Sequence, residues 1–313
     1  MMNLLSALVV AVQAISVAAA SDASSQQNNY HQVPTFELND LLLGRRFDEF
    51  SSAMISSGII SVPLTHEHRQ AALEGLCSCR DQMLSIEGTD QATLNDPATL
   101  RTTLATATAG TTPLPLPDDL TQVCGRDTAE AMEGLRDDVA TVTDAFVVAL
   151  DRLLGNGSNQ LMRNAYNGVY TTVSSIQSSA KNLEHFHVYE KQTQTEEDLN
   201  VDAMSNKDKS LFWHTDAGLF LAFVPALDCS HPGETDKSFW VDGKPVKFSP
   251  NSVTIMLGAG AEHWLNTQAS LKATRHAVRM EPGQVRSWYG MSKSIMENLH
   301  AIQTSLFHSI SLT

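Results

Sequence analysis

The hydrophobic period of the chain changes after residue 155, and this change restricts the folds that the chain can adopt. From 127 to 154 apolar side chains recur three or four residues apart, which predicts one long amphipathic helix, and Gly155 supplies a stop. Beyond residue 160 the apolar runs are short and are separated by Gly, Pro, Asn or Asp, as is typical of strands and turns. Eight such runs predict a double-sheet jelly roll, also called a double-stranded β-helix. The runs are 167–175, 183–191, 211–214, 218–224, 238–247, 252–257, 273–280 and 285–290.

The first third of the chain is predicted to flank this core. Segments 33–38 and 59–64 have the pattern of short strands, and apolar spacing over 66–85 predicts a helix. The segment 98–118 ends in alternating prolines, which remove backbone donors and restrict the residues before them, so we expect a surface connection. The predicted fold is therefore mainly β with helical flanks: a jelly-roll core packed on an N-terminal helical region with one long spine helix.

The N-terminus has the pattern of an export signal. Residues 4–20 form an almost unbroken apolar run without a charged side chain, and it ends in Ala18-Ala19-Ala20, an A-x-A cleavage signature. We expect a secreted protein that loses this segment, with an uncleaved anchor as the alternative. No later segment reaches the roughly 18 apolar residues of a membrane helix, so no further span is expected. The predicted divisions are a signal peptide at 1–20, a disordered lead-in at 21–33, the N-terminal helical region at 34–126, the spine helix at 127–155, the jelly-roll core at 160–291 and a C-terminal helix at 292–313.

Four cysteines are present, an even number in a chain that is predicted to meet an oxidising compartment. Cys77 and Cys79 are too close in sequence for an easy mutual bridge, which favours Cys124 and Cys229 as their partners. The sequence leaves the pairing open, and four free thiols are the alternative. Asn156 begins an N-x-S sequon in a Gly/Ser/Asn-rich loop, where a glycosylation acceptor would be exposed.

Charge and composition exclude several classes of protein. The 21 basic residues against 35 acidic ones give a formal charge of −14, which argues against a nucleic-acid or anionic-membrane surface because both need clustered Lys and Arg. Hydrophobic residues make up 42% of the chain, enough for a sizeable core. We therefore expect a soluble, acidic, globular and monomeric protein whose partner is a small molecule or a peptide.

A His-x-Asp pair gives the strongest chemical signal. His214 and Asp216 are two residues apart at a predicted strand end, so their side chains point to the same face and can bind one ion. One more distant histidine would complete two imidazoles and one carboxylate on a single triangular face. That set leaves three positions of an octahedral ion open and is typical of non-haem Fe(II) sites.

Two histidines compete for the third position. His276 lies in a predicted strand, and Arg286 follows ten residues later, where its guanidinium can bind a carboxylate carried by the metal. Ten residues after His263 there is only Ala273. Because a paired guanidinium–carboxylate contact is strong and geometrically selective, the sequence favours His276 over His263.

With these residues in place, the sequence resembles the 2-oxoglutarate/Fe(II)-dependent dioxygenases of the isopenicillin N synthase-like family. The resemblance covers most of the chain after residue 33. It rests on a strand–helix–strand at 33–62, the long helix, the Trp213–Gly218 segment, and stretches at 240–250, 252–258 and 274–278 that resemble the family's later strands.

The resemblance implies that His214, Asp216 and His276 ligate Fe(II) and that Arg286 binds the distal carboxylate of 2-oxoglutarate. The implied reaction consumes O₂ and 2-oxoglutarate, releases succinate and CO₂, and hydroxylates a substrate. Ascorbate is the expected auxiliary reductant. The sequence does not name the substrate.

Two further residues are implied in co-substrate binding. Tyr189 stands where the family often has a tyrosine that helps to hold 2-oxoglutarate. The family also has a serine two residues after its arginine, but Trp288 occupies that place here, and Ser287, one residue earlier, is the nearest hydroxyl.

Two rival functions stay open at this stage. One is an Fe(II) oxidase that uses the same ligands without 2-oxoglutarate, which loss of the arginine would favour. The other is a secreted, non-catalytic binding protein that has kept the dioxygenase fold. The substituted serine and the scarcity of Fe(II) and 2-oxoglutarate outside cells favour the second rival, whereas the three intact ligands count against it.

Overall fold

The computed structural model describes residues 29–65, 67–155, 160–163, 168–193, 209–232 and 237–293. The predicted signal peptide, most of the lead-in, the Asn156 sequon and all but the first two residues of the predicted C-terminal helix lie outside these ranges. Ser292 and Lys293, which do lie inside, are the end of a strand. None of the described helices combines the length and apolar character of a membrane span.

The helices of the described chain lie mostly before the jelly roll, and the strands run through it. The helices are α1 (Leu38–Leu43), α2 (Phe47–Ser56), α3 (His68–Cys79), α4 (Leu120–Cys124), α5 (Arg126–Leu154), α6 (Val173–Ser179) and α7 (Ala259–His263), with a 3-10 helix at Arg80–Ser85. The strands are β1 (Ile59–Pro63), β2 (Thr89–Thr93), β3 (Thr99–Ala109), β4 (Thr112–Pro113), β5 (Met162–Arg163), β6 (Val169–Tyr170), β7 (Lys181–Lys191), β8 (Leu211–His214), β9 (Phe220–Phe223), β10 (Leu227–Asp228), β11 (Phe239–Val241), β12 (Lys244–Pro245), β13 (Ser252–Leu257), β14 (His276–Val278) and β15 (Val285–Lys293).

Two antiparallel sheets form the jelly roll. In the described chain the larger sheet follows the order β1-β13-β9-β15-β7-β3-β2, with β10 on β15 and β4 on β3. The smaller sheet follows the order β12-β11-β14-β8, and β5 pairs with β6 separately. This architecture confirms the predicted fold class, a mainly β jelly roll with helical flanks and one long helix.

The segment 98–118 corrects one prediction, because most of it is a strand and not a surface connection. β3 pairs with β7 along its whole length, from Thr99 opposite Lys191 to Ala109 opposite Lys181. The prolines begin only at Pro113 and restrict only the residues beside them. The threonines before them are β-branched, and such residues favour strands. The N-terminal region therefore supplies four strands to the larger sheet in addition to its helices.

Three shorter predictions also need correction. In 167–175 only Val169–Tyr170 is a strand, because the Thr172 hydroxyl accepts a hydrogen bond from the Ser175 amide and starts α6. In 33–38 Thr35 makes only an isolated bridge to Ser61. In 273–280 the strand is limited to β14.

The long helix α5 is confirmed, and a buried ionic network ties it to the larger sheet. Arg136 is fully buried and donates to Glu184 Oε2 from Nε at 2.9 Å and from Nη2 at 2.6 Å. It also donates to Glu133 at 2.7 Å and to the Leu114 carbonyl at 2.7 Å. The Tyr289 hydroxyl donates to the other Glu184 oxygen at 3.0 Å. Both buried charges are therefore paired and hydrogen-bonded, which offsets the cost of removing them from water.

Two disulfides join the C-terminal end of α3 to the end of α4 and to the residue that follows β10. Cys77 is bonded to Cys229, and Cys79 is bonded to Cys124. Residues two apart on a helix point in different directions, so the two cysteines of α3 reach different partners. The preference for the distant cysteines over a mutual bridge is confirmed, and among the described residues no cysteine is free.

We predict that Arg136→Met lowers the free energy of unfolding by about 3–5 kcal/mol, because it leaves the Glu184 carboxylate buried without its cation. Denaturant unfolding at neutral pH measures the change. The double variant Arg136→Met/Glu184→Gln removes both charges and should recover part of the loss. A single variant within about 1 kcal/mol of the wild type would contradict the structural role given to the pair.

Candidate metal centre

The three predicted ligands meet at one end of the smaller sheet. His214 ends β8, His276 begins β14, and the two are direct neighbours in the antiparallel register. Asp216 follows β8 by two residues. One ligand atom from each of the three lies within 4.8 Å of the other two. The distance from Asp216 Oδ1 to His214 Nε2 is 3.7 Å, and that from Asp216 Oδ2 to His276 Nε2 is 3.9 Å.

Backbone hydrogen bonds set the tautomer of both imidazoles. Nδ1 of His214 lies 2.6 Å from the Phe212 carbonyl, and Nδ1 of His276 lies 3.1 Å from the Thr274 carbonyl. Because a carbonyl only accepts, each Nδ1 carries the proton and donates it. The lone pair of each ring is then on Nε2, which faces Asp216. This is the arrangement that a metal-binding histidine needs.

Burial keeps the His276 imidazole neutral. The ring lies between Phe239, stacked at 5.3 Å, and His214, whose ring centroid is 4.2 Å away. Burial lowers the pKa of His276 to about 4, and the attraction of Asp216 only partly opposes this. A neutral imidazole with a free lone pair binds a cation without first losing a proton.

The loop that carries Asp216 is fixed from behind by the end of β13. The Ala259 amide donates to the Asp216 carbonyl at 2.7 Å, and the Gly260 amide donates to the Gly218 carbonyl at 3.0 Å. A Cβ on Gly258 would lie 2.3 Å from the Gly218 carbonyl oxygen, so only glycine allows this approach. One carboxylate oxygen, Asp216 Oδ2, is buried and has no hydrogen-bond partner among the described residues. A divalent cation would satisfy it, so the residues present fit a metal ion.

His263, the weaker candidate from sequence, does not join this group. It lies on α7 and is exposed. In the described chain the cluster of potential metal ligands is made of His214, Asp216 and His276. The geometry therefore agrees with the choice of His276.

A cavity of about 310 Å³ adjoins the three residues, and the larger sheet forms its other wall. Residues directly opposite on neighbouring strands point to the same face. On β3, β7 and β15 the register places Arg101, Tyr189 and Arg286 in one such row. All three line the cavity.

Arg286 and Tyr189, the predicted co-substrate residues, both line the cavity. Arg286 is 2% exposed, and its guanidinium carbon lies 5.6 Å from the centroid of the Tyr189 ring. Its Nη1 donates a hydrogen bond to Ser238 Oγ. Burial raises the pKa of the Tyr189 phenol, so that hydroxyl keeps its proton and can donate it. Arg286 and Tyr189 thus offer one guanidinium and one phenol to an anion.

Ser287 corrects the prediction of a hydroxyl for the co-substrate, because it does not face the cavity. Side chains alternate along β15, so a residue next to Arg286 points to the opposite face. Its hydroxyl donates to the Leu73 carbonyl at 2.9 Å and lies 3.3 Å from Cys77 Sγ. Trp288 faces the cavity instead and stacks on His187 with a centroid distance of 5.2 Å and an interplanar angle of 6°.

The stacked orientation of the Trp288 indole depends on the absence of a side chain at Gly290. Gly290 lies two residues further along β15, on the same face. A Cβ added there would lie 2.1 Å from the Trp288 ring. The indole therefore covers space that any other residue at 290 would occupy.

Sequence reasoning missed two residues that approach the site. Ser238 precedes β11 and contacts Arg286, but no motif distinguishes this serine in the sequence. Arg101 lines the cavity, but its strand β3 was predicted to be a connection, so its side chain was not placed on any face. Recognition of the threonine-rich run as a strand would have placed it.

A larger cleft of about 510 Å³ shares no lining residue with the cavity beside the three ligands, but it is lined by Ser238, the hydrogen-bond partner of Arg286. Among the described residues, no group able to hold a metal ion lies in it. The group of potential metal ligands therefore lies at the smaller cavity.

The structure is similar to solved structures of known oxygenases, although no family model and no curated protein matches the sequence. Dioxygenase for auxin oxidation 1 from Arabidopsis thaliana, in a binary complex with 2-oxoglutarate, superposes with a TM-score of 0.52 at 13% identity, covering 83% of this chain and 92% of that one. JOX2 in complex with 2OG, Fe and JA gives a TM-score of 0.56 at 13% identity, with 87% and 80% covered. A putative oxygenase from Shewanella oneidensis gives 0.52 at 8% identity, with 90% and 100% covered.

These matches establish the fold. The chain has the fold of the 2-oxoglutarate/Fe(II)-dependent dioxygenases, an oxidoreductase class, as the resemblance in sequence implied. The match extends over most of the chain and includes the N-terminal region as well as the jelly roll.

We predict that His214→Ala, Asp216→Ala and His276→Ala each abolish Fe(II) binding at micromolar metal, because two remaining ligands hold an ion much more weakly than three. Anaerobic calorimetric titration with Fe(II), repeated with Mn(II), measures the affinity. His263→Ala is the matched control and should bind as the wild type does. If His263→Ala loses the metal while His276→Ala keeps it, the assignment of the third ligand is wrong.

Proposed function

We propose that this chain is a non-haem Fe(II)- and 2-oxoglutarate-dependent dioxygenase that hydroxylates an organic substrate and releases succinate and CO₂. One observation carries the proposal: His214, Asp216 and His276 lie within ligand distance of one another, beside a cavity that also holds Arg286 and Tyr189. A shared fold alone does not establish an activity, because one fold can support many functions. The site adds the ligand set that this chemistry requires.

The ligand set suits Fe(II) in its number and its type. Two imidazoles and one carboxylate occupy one face of an octahedral ion and leave three positions for a bidentate co-substrate and O₂. A bound Fe(II) ion would supply the redox chemistry that couples O₂ and 2-oxoglutarate to oxidation of the substrate. The two histidines, fixed through their Nδ1 hydrogen bonds, hold their Nε2 atoms in place for that ion.

Arg286 and Tyr189 would bind the co-substrate. A guanidinium holds a carboxylate through paired, charge-assisted hydrogen bonds, and a neutral phenol can donate one more. Arg286 is in turn oriented by the Ser238 hydroxyl. Ser238, which directly precedes β11, thus provides the hydroxyl that the family has two residues after its arginine, where this chain has Trp288.

The aromatic wall would shield the reacting atoms from water. The stacked pair of Trp288 and His187 and the buried Phe239 border the cavity on three strands. A volume of about 310 Å³ suits a small molecule or one side chain of a peptide. Exclusion of water strengthens the electrostatic contacts that Arg286 makes inside the cavity.

A succinate assay tests the function directly. Purified chain is incubated with Fe(II), ascorbate, O₂ and 2-oxoglutarate, and succinate is measured, with His276→Ala as the matched control. The proposal requires succinate from the wild type and none above background from the variant. Iron binding without any use of 2-oxoglutarate would favour the Fe(II) oxidase instead, and failure to bind iron would favour the non-catalytic binding protein.

We predict that Arg286→Ala keeps Fe(II) but binds 2-oxoglutarate roughly ten- to a hundredfold more weakly. Charge-assisted hydrogen bonds are worth about 1.5–3 kcal/mol, and every 1.4 kcal/mol is about tenfold in affinity. Arg286→Lys should be intermediate, since an ammonium cannot form the paired contact. The dependence of turnover on 2-oxoglutarate at fixed iron and saturating O₂ measures the effect. An unchanged dependence in Arg286→Ala would remove this residue from the co-substrate site.

We propose further that the chain is exported. The apolar N-terminal run with its A-x-A sequence supports this, as do the two disulfides that join Cys77 to Cys229 and Cys79 to Cys124. Such bonds persist in oxidising compartments and are rare in the cytosol.

We predict that material recovered from a secreting host begins at or near Ser21 and contains disulfides. Intact-mass analysis after alkylation under denaturing, non-reducing conditions gives both the start of the chain and the number of free thiols. A reduced sample alkylated at four cysteines is the control. Retention of Met1 together with four alkylatable thiols before reduction would contradict the export proposal.

A further inference from the structure

Arg101 is a second guanidinium in the cavity, and the proposed reaction does not use it. It lies on β3, directly opposite Tyr189 on β7, and Tyr189 in turn lies opposite Arg286 on β15. The backbones of β3 and β15 are thus two strand spacings apart, about 10 Å. The two arginines therefore approach the cavity from opposite sides of Tyr189.

Arg101 has no carboxylate partner among the described residues. No Asp or Glu oxygen of that part of the chain lies within ion-pair distance of its guanidinium, and its Nε is buried without a hydrogen-bond partner. The guanidinium contacts the Tyr189 phenol, and its charge and its hydrogen bond to that phenol oppose the rise in the Tyr189 pKa that burial causes. A half-buried cation whose Nε is unsatisfied costs free energy unless a ligand pairs with it.

The other groups that line the cavity do not neutralise Arg101. Asp216 is the carboxylate among the described lining residues, and it belongs to the metal ligands. Burial lowers the pKa of His185 and of His187, so both rings are neutral near pH 7. Asp90, which acts on His185, is an exposed residue of β2 at the edge of the sheet.

The charges of the cavity's side chains, the metal ion and the co-substrate sum to one excess positive charge. Arg101 and Arg286 bring two positive charges to the cavity, and Asp216 brings one negative charge. Fe(II) and the 2-oxoglutarate dianion would cancel each other. This excess lies inside a chain whose formal charge is −14, so it is a local property of the cavity and not of the surface.

We infer that Arg101 binds the carboxylate of the substrate, and that the substrate is therefore an organic acid. The inference rests on the proposed function, since it takes Arg286 as the anchor of 2-oxoglutarate. The acid group would lie at β3, and the body of the molecule would occupy the rest of the cavity, which His185, Leu183 and Trp288 also line.

The difference in burial between the two arginines supports the assignment of Arg286 to 2-oxoglutarate and of Arg101 to the substrate. Arg286 is 2% exposed, which suits a small co-substrate that is enclosed completely. Arg101 is half-buried, at the side of the cavity nearer the sheet edge at β2. A larger molecule can enter on that side while its carboxylate stays in contact with the guanidinium.

Paired acids and amides test the inference. The probes are hexanoate with hexanamide and 4-phenylbutyrate with 4-phenylbutyramide, which differ in charge but little in shape. Their affinities are measured by calorimetry on protein loaded with Mn(II) and 2-oxoglutarate, so that no turnover occurs. The wild type should bind at least one acid about tenfold more tightly than its amide, and Arg101→Gln should abolish that preference.

Three variants provide the controls. Arg101→Lys keeps the charge and should keep part of the preference for acids. Arg80→Gln removes an arginine that lies outside the cavity, beside Asp81 and Glu190, and should bind as the wild type does. The affinity of Arg101→Gln for 2-oxoglutarate should stay within about threefold of the wild type, which also shows that the variant folds, whereas Arg286→Gln should lose it.

The outcomes separate this inference from the proposed function. If the wild type does not bind 2-oxoglutarate with metal, the proposed function fails, and the acid–amide comparison on metal-free protein still tests Arg101. The inference is overturned if no acid is preferred, if the preference survives Arg101→Gln, or if Arg101→Gln loses 2-oxoglutarate while Arg286→Gln keeps it.

Discussion

The alternation of side chains along β7 is the constraint on which the rest of the structure depends. Glu184 points to one face, where it meets the buried Arg136 of α5, while His185, His187 and Tyr189 point to the other face and line the cavity. A shift of one residue would exchange the two faces of the strand. It would place a carboxylate in the cavity and leave the guanidinium of the helix buried without its partner. The ionic pair therefore fixes the register of the strand that carries the binding residues.

The site is divided between the two sheets, and each sheet supplies a different kind of contact. The smaller sheet provides the metal ligands, whose geometry is set locally: each histidine is held by a carbonyl two residues earlier, and Asp216 is held by amides after β13. The larger sheet provides the groups for anions through a register that spans three strands. The positions of the metal ligands are determined within short segments of the sequence. The positions of the anion-binding groups depend on strand pairings between residues up to about ninety positions apart, such as Arg101 with Tyr189.

This division explains what the sequence could predict. The long helix, the jelly roll and the proximity of His214 and Asp216 follow from local periodicity, and the choice of His276 follows from one spacing to Arg286. The role predicted for Ser287 was wrong because side chains alternate along a strand. A serine one residue from the family's position points to the opposite face of β15. The strand β3 was missed because the prolines from Pro113 onwards outweighed the threonine-rich run before them, and because its partner β7 is distant in sequence. The residues that sequence reasoning overlooked are thus those that distant pairing brings to the site.

The contact between Trp288 and Gly290 also restricts the order in which this cavity can change by mutation. Since the indole fills the space above residue 290, any side chain there meets the ring while the tryptophan is present. Replacement of the tryptophan by a smaller residue meets no such obstacle. A substitution of Trp288 must therefore come before any substitution of Gly290. The reverse path passes through a sterically blocked intermediate, so the two positions are coupled in evolution and in directed redesign alike.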